Sequence, residues 1–223
     1  MNIAIYSGSF NPLHIGHLAI IKHMIEEAGF DMVYLIVSPK NPLKDGISAT
    51  TGQDRYNAAL AAVNRHFSGM VSEADAPIGP AFPLVRHPLA GGGTSSPHSA
   101  SEIRITGKVR VDDIELNMPE PHYTVRTLKA LAEREPENTF TFVMGADNLA
   151  DIRRWRDYTT ILKDFGVAVF PRTGHDLAQI KQDLLNEDPA YRIQILDAEM
   201  VDISSTEIRE AIANGEDPSK FLM

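Results

Sequence analysis

The 223-residue sequence contains no cysteine. Disulfides, thiolate nucleophiles and cysteine-ligated zinc are thereby excluded, an absence that fits a reducing cytoplasm. No apolar run is long enough to cross a bilayer, and Met1 leads almost at once into a strand-like segment rather than a charged start and an apolar signal. A cytoplasmic protein with no membrane partner is expected. Positive charge is also in short supply. The 21 Lys and Arg against 30 Asp and Glu leave a formal charge of −9. That argues against a nucleic-acid-binding face, while leaving room for a local cationic pocket that holds one phosphate-bearing ligand. Two familiar nucleotide loops are missing too. Neither G-x-G-x-x-G nor G-x-x-x-x-G-K-[ST] occurs, so the usual dinucleotide and P-loop readings fail.

What is present is an ordinary globular composition, 43% hydrophobic and 23% charged, long enough for one good-sized core. "NIAIY" (2–6) is short, apolar and bounded by Gly8, and reads as a buried strand. From Ile15 to Ala28 the apolar residues Leu18, Ile21, Met24 and Ile25 fall at helical spacing, with Gly29 as a stop. "MVYLIVS" (32–38) is a second buried strand, and Asp54 is a candidate cap for a helix through "RYNAALAAVNRHF". The alternation then resumes. A helix is expected at 124–135, a strand at 139–145, a short helix from Asp147, a strand at 166–171, a helix near 177–186, a strand at 192–196 and a helix at 205–214. Apolar strands alternating with helices predict an α/β fold: a Rossmann-like, doubly wound parallel sheet with helices on both faces. Ligands of such sheets sit beyond the strands' carboxyl ends, where Gly8, Ser38, Gly145 and Arg172 fall.

One segment breaks the rhythm of this single domain. Residues 73–108 hold five Pro, five Gly and four Ser, which reads as a long insertion, either a surface excursion or a substrate lid. Its tail, "EIRITGKVRV", alternates about Thr106-Gly107 and is compatible with a hairpin. The acidic run Asp112, Asp113 and Glu115 reads as a solvated strand edge or turn.

The most chemical stretch is "YSGSFNPLHIGHLAII" (6–21). His14 and His17 stand at i and i+3 and share a face if a helix begins near His14. Gly8 and Ser9 allow a tight bend after the strand, and Gly16 leaves space against the backbone. A helix N-terminus with two imidazoles is a site for an anion, whose presence would favour the protonated rings. A metal pair, for which no third ligand is visible nearby, and ordinary helix-start histidines remain alternatives.

"GSFNPLHIGH" resembles the H-x-G-H signature of the nucleotidyltransferase superfamily. "SPKNPLK" (38–44), "DDIELNMPEPHYTVRTL" (112–128), "FVMGADNLADIRRW" (142–155), "VFPR" (169–172) and "ISSTEIR" (203–209) follow in the order of the bacterial nicotinate-nucleotide adenylyltransferase family. The H-x-G-H and "ISSTEIR" motifs imply adenylyl transfer. The Tyr123-Thr124 pair and the spacing from Gly145 and Asp147 to Trp155 imply a pyridine mononucleotide as the acceptor.

The resemblance implies transfer from ATP to nicotinate mononucleotide, giving deamido-NAD and pyrophosphate in NAD biosynthesis, with Mg²⁺ accompanying ATP. By the same resemblance, His14 and His17 contact the triphosphate and Gly8, Ser9 and Phe10 shape the turn against the nucleotide. Lys44, Arg172, Ser205, Thr206 and Arg209 bind phosphates, with His14, His17, Lys44 and Arg209 stabilising charge during transfer. Gly145 and Asp147 lie about the adenosine, Trp155 stacks on the pyridine ring, and Tyr123 and Thr124 receive the carboxylate. Each has a plainer alternative: a solvated Lys44, capping by Ser205 and Thr206, an N-cap Asp147, a core Trp155. Ser9 and Asn11 replace the commoner threonine and aspartate, and Leu43 stands where a histidine commonly precedes the loop lysine. Another acceptor, nicotinamide mononucleotide or phosphopantetheine, and a non-catalytic nucleotide-binding regulator are the competing functions. Relatives that often self-associate leave a homo-oligomer open.

Overall fold

A computed structural model of the chain describes residues 1–39, 50–67, 107–198 and 205–223. Six strands form one sheet: β1 (Asn2–Gly8), β2 (Met32–Val37), β3 (Val109–Asp112), β4 (Thr139–Gly145), β5 (Val167–Phe170) and β6 (Ile193–Ile195). All neighbouring pairs are parallel and the order is β3-β2-β1-β4-β5-β6. The Rossmann-like doubly wound sheet is as expected. Tyr6 of β1 lies opposite Leu35 and Val143, so β1 is flanked along most of its length by β2 and β4. The strand order is wound outward in opposite directions from β1 and from β4, and a crevice opens at their carboxyl ends.

The helices are α1 (Ile15–Glu26), α2 (Gly52–Phe67), α3 (Thr124–Arg134), α4 (Ala146–Ala150), α5 (Tyr158–Thr160), α6 (Leu177–Glu187) and α7 (Ser205–Ala213). Period-two alternation in the strands supplies two apolar layers. Ala4, Tyr6, Leu35 and Val143 pack with Ile21 and Met24 of α1 and with Ala59 and Val63 of α2. Ile3, Ile5, Ile36 and Phe142 pack with Leu128 of α3, Leu149 of α4 and Leu184 of α6. The β-branched strands are buried on both faces, which is why they read as continuous apolar runs. Among the described residues no helix is long and apolar enough to cross a membrane.

Local signals mostly hold. Gly29 adopts φ +80 just after α1, a conformation glycine enters without steric cost. The cap of α2 differs from expectation. Thr51 Oγ1 accepts from the Asp54 N–H at 3.1 Å, while Asp54 Oδ2 accepts from the Thr51 N–H at 3.0 Å. Thr51 is thus the cap and Asp54 its reciprocal partner, the logic of a capping box. The first arm of the hairpin expected about Thr106-Gly107 lies outside the described residues. Val109–Asp112 pairs in parallel with β2 as the sheet's edge strand. Residues 73–106 of the insertion lie outside the described residues.

The acidic run is not solvated either. Asp112 is 2% exposed and Glu115 3%. Asp112 takes Arg134 in a two-pronged contact at 2.6 and 3.2 Å, Arg110 at 3.2 Å and the Ile114 N–H at 3.0 Å. Arg110 in turn lies over the Tyr34 ring, 4.9 Å from its centre. A buried carboxylate is tolerated because donors surround it, and removing it strands the cations. Asp112→Ala should therefore cost about 3–5 kcal/mol in urea unfolding, against roughly 0.5 kcal/mol or less for Asp113→Ala. Equally small losses would return the run to the solvated reading.

Candidate functional site

The site grows from the turn between β1 and α1. The strained position is Phe10, at φ +42, a region that non-glycine residues seldom occupy. Gly8 and Ser9, expected to supply the bend, do other work. A Cβ on Gly8 would sit 3.2 Å from the Phe10 ring, so the glycine makes room for that ring. Phe10 is 3% exposed and meets Tyr6 and His17 edge-on, with centroids 5.5 and 5.3 Å away.

His14 is the residue before α1 and His17 lies in its first turn. The two rings are stacked at a tilt, 3.7 Å between centroids. The His14 N–H donates to His17 Nδ1 at 3.2 Å, which assigns the proton of a neutral His17 to Nε2. Nδ1 of His14 is buried and has no hydrogen-bond partner among the described residues. Burial, aided by Arg172 and opposed by Glu207, pushes His14 down from 6.5 to about 4. Burial, then His14 and Arg172, pushes His17 down to about 3. The pair is therefore neutral at pH 7, beside a cation and a helix N-terminus.

Three elements distant in sequence brace this turn. Arg55 of α2, 5% exposed, donates to the carbonyls of Ser9 (2.8 Å), Ser38 (2.7 Å) and Pro39 (2.7 Å). Arg209 of α7 donates to the Asn11 carbonyl at 2.7 Å and to Thr206 Oγ1 at 3.0 Å. Ser205 Oγ donates to the Pro12 carbonyl at 3.2 Å. The Ser205 hydroxyl thus holds the turn rather than capping its own helix. Near the chain's end, Leu222 pairs antiparallel with His14, and Arg65 donates to the Met223 carbonyl at 2.7 Å. Arg55 went unread in the sequence although a signal existed. It lies four residues before Ala59 and seven before Ala62, on the buried face of α2, where an unpartnered arginine would not survive.

Across the crevice, Gly145 ends β4 and is itself the N-cap of α4, which removes the capping role considered for Asp147. Asp147 Oδ1 instead faces Arg172 Nε at 3.6 Å. A Cβ on Gly145 would come within 2.5 Å of that same oxygen and 3.3 Å of Arg172 Nε, so a side chain there would displace the pair. Arg172 follows β5, and its charge reaches His14, His17 and Tyr6.

Thr124 begins α3 with Tyr123 as the preceding cap residue, 44% exposed. Trp155 is half-buried, edge-on to Phe142 with centroids 5.9 Å apart, and packs on the same apolar layer as the inner face of α3. It therefore shares the core-packing role while keeping part of its ring exposed. Lys44 and Leu43 lie outside the described residues, as do residues 199–204 before α7. The structure thus gathers His14, His17, Phe10, Arg172, Ser205 and Arg209 about one turn, Gly145 and Asp147 facing it through Arg172, and Tyr123, Thr124 and Trp155 on the other layer. Among the described residues no group of three or more histidines and carboxylates could hold a metal ion.

The sequence pattern of the cytidylyltransferase-like family matches residues 5–211. A protein of Flavobacterium johnsoniae named "Probable nicotinate-nucleotide adenylyltransferase" is 31% identical over 222 residues, which span 100% of this chain and 92% of that one. A protein of the same name from Flavobacterium psychrophilum is 34% identical over 96% of this chain and 88% of its own. Among solved structures, a Plasmodium falciparum nicotinic acid mononucleotide adenylyltransferase complexed with NaAD superposes with a TM-score of 0.66 at 20% identity, covering 99% of this chain and 90% of that chain. At that identity the likeness speaks for the fold.

The imidazole pair carries a pH signature. The unfolded chain binds more protons than the folded one between about pH 6.5 and 3, because both rings titrate low in the fold. Stability from this source is full above pH 6.5 and is lost as pH falls through about 4 and then about 3. Replacing both residues, His14→Gln with His17→Asn, should flatten the dependence of the urea midpoint on pH from 6.5 to 4. An unaltered slope would show that the rings are not held neutral.

Proposed function

The chain belongs to the cytidylyltransferase-like family, among its nicotinate-nucleotide adenylyltransferases, and we propose that it transfers the adenylyl group of ATP to nicotinate mononucleotide. The observation that carries this reading is the stacked, neutral His14–His17 pair at a helix N-terminus in the crevice between β1 and β4, beside Arg172. Donors and a nearby cation at a helix N-terminus suit a polyanion.

In the reaction, a phosphate oxygen of the mononucleotide attacks the α-phosphorus of ATP in line. The bond from that phosphorus to the oxygen bridging to the β-phosphorus breaks, and deamido-NAD and pyrophosphate form. The nucleophile arrives as an anion, so no side chain has to abstract a proton. Catalysis falls to orientation and to neutralising charge on the leaving group. His14 and His17 supply ring N–H donors, and a triphosphate beside them reverses the balance that keeps them neutral. Arg209, Arg172, Ser205, Thr206 and Lys44 complete the phosphate contacts in this reading. Gly8, Ser9 and Phe10 wall the nucleotide, with Gly145 and Asp147 beside the adenosine. Trp155 offers a ring face to the cationic pyridine, and the start of α3 at Tyr123 and Thr124 receives the carboxylate. Mg²⁺ belongs to the ATP substrate, held by its phosphates, since imidazoles, guanidinia and hydroxyls make a poor cage for a hard cation. The setting is the cytoplasm, and self-association is compatible with the chemistry.

Two outcomes are expected. Pyrophosphate release with ATP and Mg²⁺ should favour nicotinate mononucleotide over the nicotinamide form offered in parallel. Equal use would discard the carboxylate-reading role of α3, and silence with both would remove the reaction. His17→Ala should lower kcat by roughly 10²–10³-fold in a protein that still unfolds cooperatively. An unchanged kcat would sink the role of that imidazole.

A further inference from the structure

Glu115 is a buried carboxylate to which the proposed reaction gives no task. It sits in the short 3₁₀ turn Ile114–Leu116 after β3, and its two oxygens face different parts of the molecule. Oε1 accepts from Thr127 Oγ1 at 2.8 Å, and the Thr127 N–H donates to the Tyr123 carbonyl at 3.2 Å. Oε2 accepts from Ser38 Oγ at 2.5 Å, just past the end of β2. Ser38 is itself bound into the first turn. Its N–H donates to the Gly8 carbonyl at 3.0 Å, its hydroxyl meets Ser7 Oγ at 3.3 Å, and its carbonyl shares the Arg55 guanidinium with Ser9.

We propose that Glu115 is a positioning residue that ties the helix start at Tyr123 and Thr124 to the β1–α1 turn. It thereby fixes the distance between the pyridine end of the mononucleotide and the triphosphate. This rests on the reaction assigned above and names a residue that acts through others, not on the reacting atoms. A carboxylate suits the task because both hydroxyls must donate toward it, which sets two side chains with one acceptor group. The two ends are unequally supported. Without Glu115, Ser38 keeps Arg55 and the Gly8 carbonyl, whereas Thr127 loses its side-chain partner. Loosening therefore falls on α3 and on the acceptor substrate.

The test is steady-state kinetics of the whole chain with each substrate varied, for wild type, Glu115→Ala, Glu115→Gln and Thr127→Val. Glu115→Ala and Thr127→Val should each raise KM for nicotinate mononucleotide by roughly tenfold or more, with KM for ATP within about twofold. Glu115→Gln should restore both values, because its amide accepts from Thr127 and donates to Ser38. A carboxylate that only stabilises the fold would lower the unfolding midpoint and leave the ratio of the two KM values untouched. That result, or an equal rise in both KM values, overturns the proposal. Should Glu115→Ala fail to fold, an unchanged mononucleotide KM in Thr127→Val overturns it alone. Wild-type silence with this acceptor would overturn the reaction and the inference together, whereas an active wild type with unaffected variants removes only the inference.

Discussion

A parallel sheet delivers every strand end to one rim, and strand order decides where that rim opens. Here β1 lies between β2 and β4, and the strand order runs outward from β1 and β4 in opposite directions, so a crevice opens beyond Gly8 at the switch point. The rest of the site depends on that opening. Its walls are the residues that follow β1, β2, β4 and β5, four points far apart in the chain and brought together by a register in which Gly8 pairs with Val37 and Gly145 with Phe170.

An open turn needs stiffening, and the chain does this through carbonyl groups. The oxygens of Ser9, Asn11 and Pro12 are taken by Arg55, Arg209 and Ser205. Each oxygen so occupied is directed at a protein donor rather than at a bound anion, where it would repel. Two of the donors are guanidinia with several N–H groups each, so holding the turn leaves further donors on the same side chains. Bracing from α2 and α7 also explains how Phe10 stays in the left-handed region, a conformation that persists only when its surroundings over-determine it.

Much of this was legible in the sequence because burial on both faces writes itself into strands such as "MVYLIV", and because His14 and His17 declare a helix face by spacing alone. The misreadings share a cause. Strand β3 is four residues long and two of them, Arg110 and Asp112, are charged, so its pattern suggested solvent. The charges are buried because their partners lie at the end of α3 and on Tyr34 within β2, and no local pattern encodes a neighbour 22 residues away, as Arg134 is for Asp112. Arg55 was overlooked for the same reason. Its spacing placed it inward, but the three carbonyls that make this tolerable belong to other segments. Gly8 was read as allowing a tight bend, but the unusual backbone angle falls on Phe10, and a Cβ on Gly8 would crowd that ring.

Why imidazoles, rather than lysines, at such a position follows from the same electrostatics. Arg172 already places a positive charge against a buried helix N-terminus. Two ammonium groups there would repel it and each other, and burial would penalise both, so the folded chain would lose stability whenever the site held no anion. Imidazoles escape that penalty by remaining neutral, as their lowered titration ranges of about 4 and about 3 require. They keep N–H donors in the neutral form, and they gain protons only when an anion supplies the opposing charge. In the proposed reaction a histidine pair thus separates the requirements of folding from those of phosphate binding, and the cost is displaced to acidic pH.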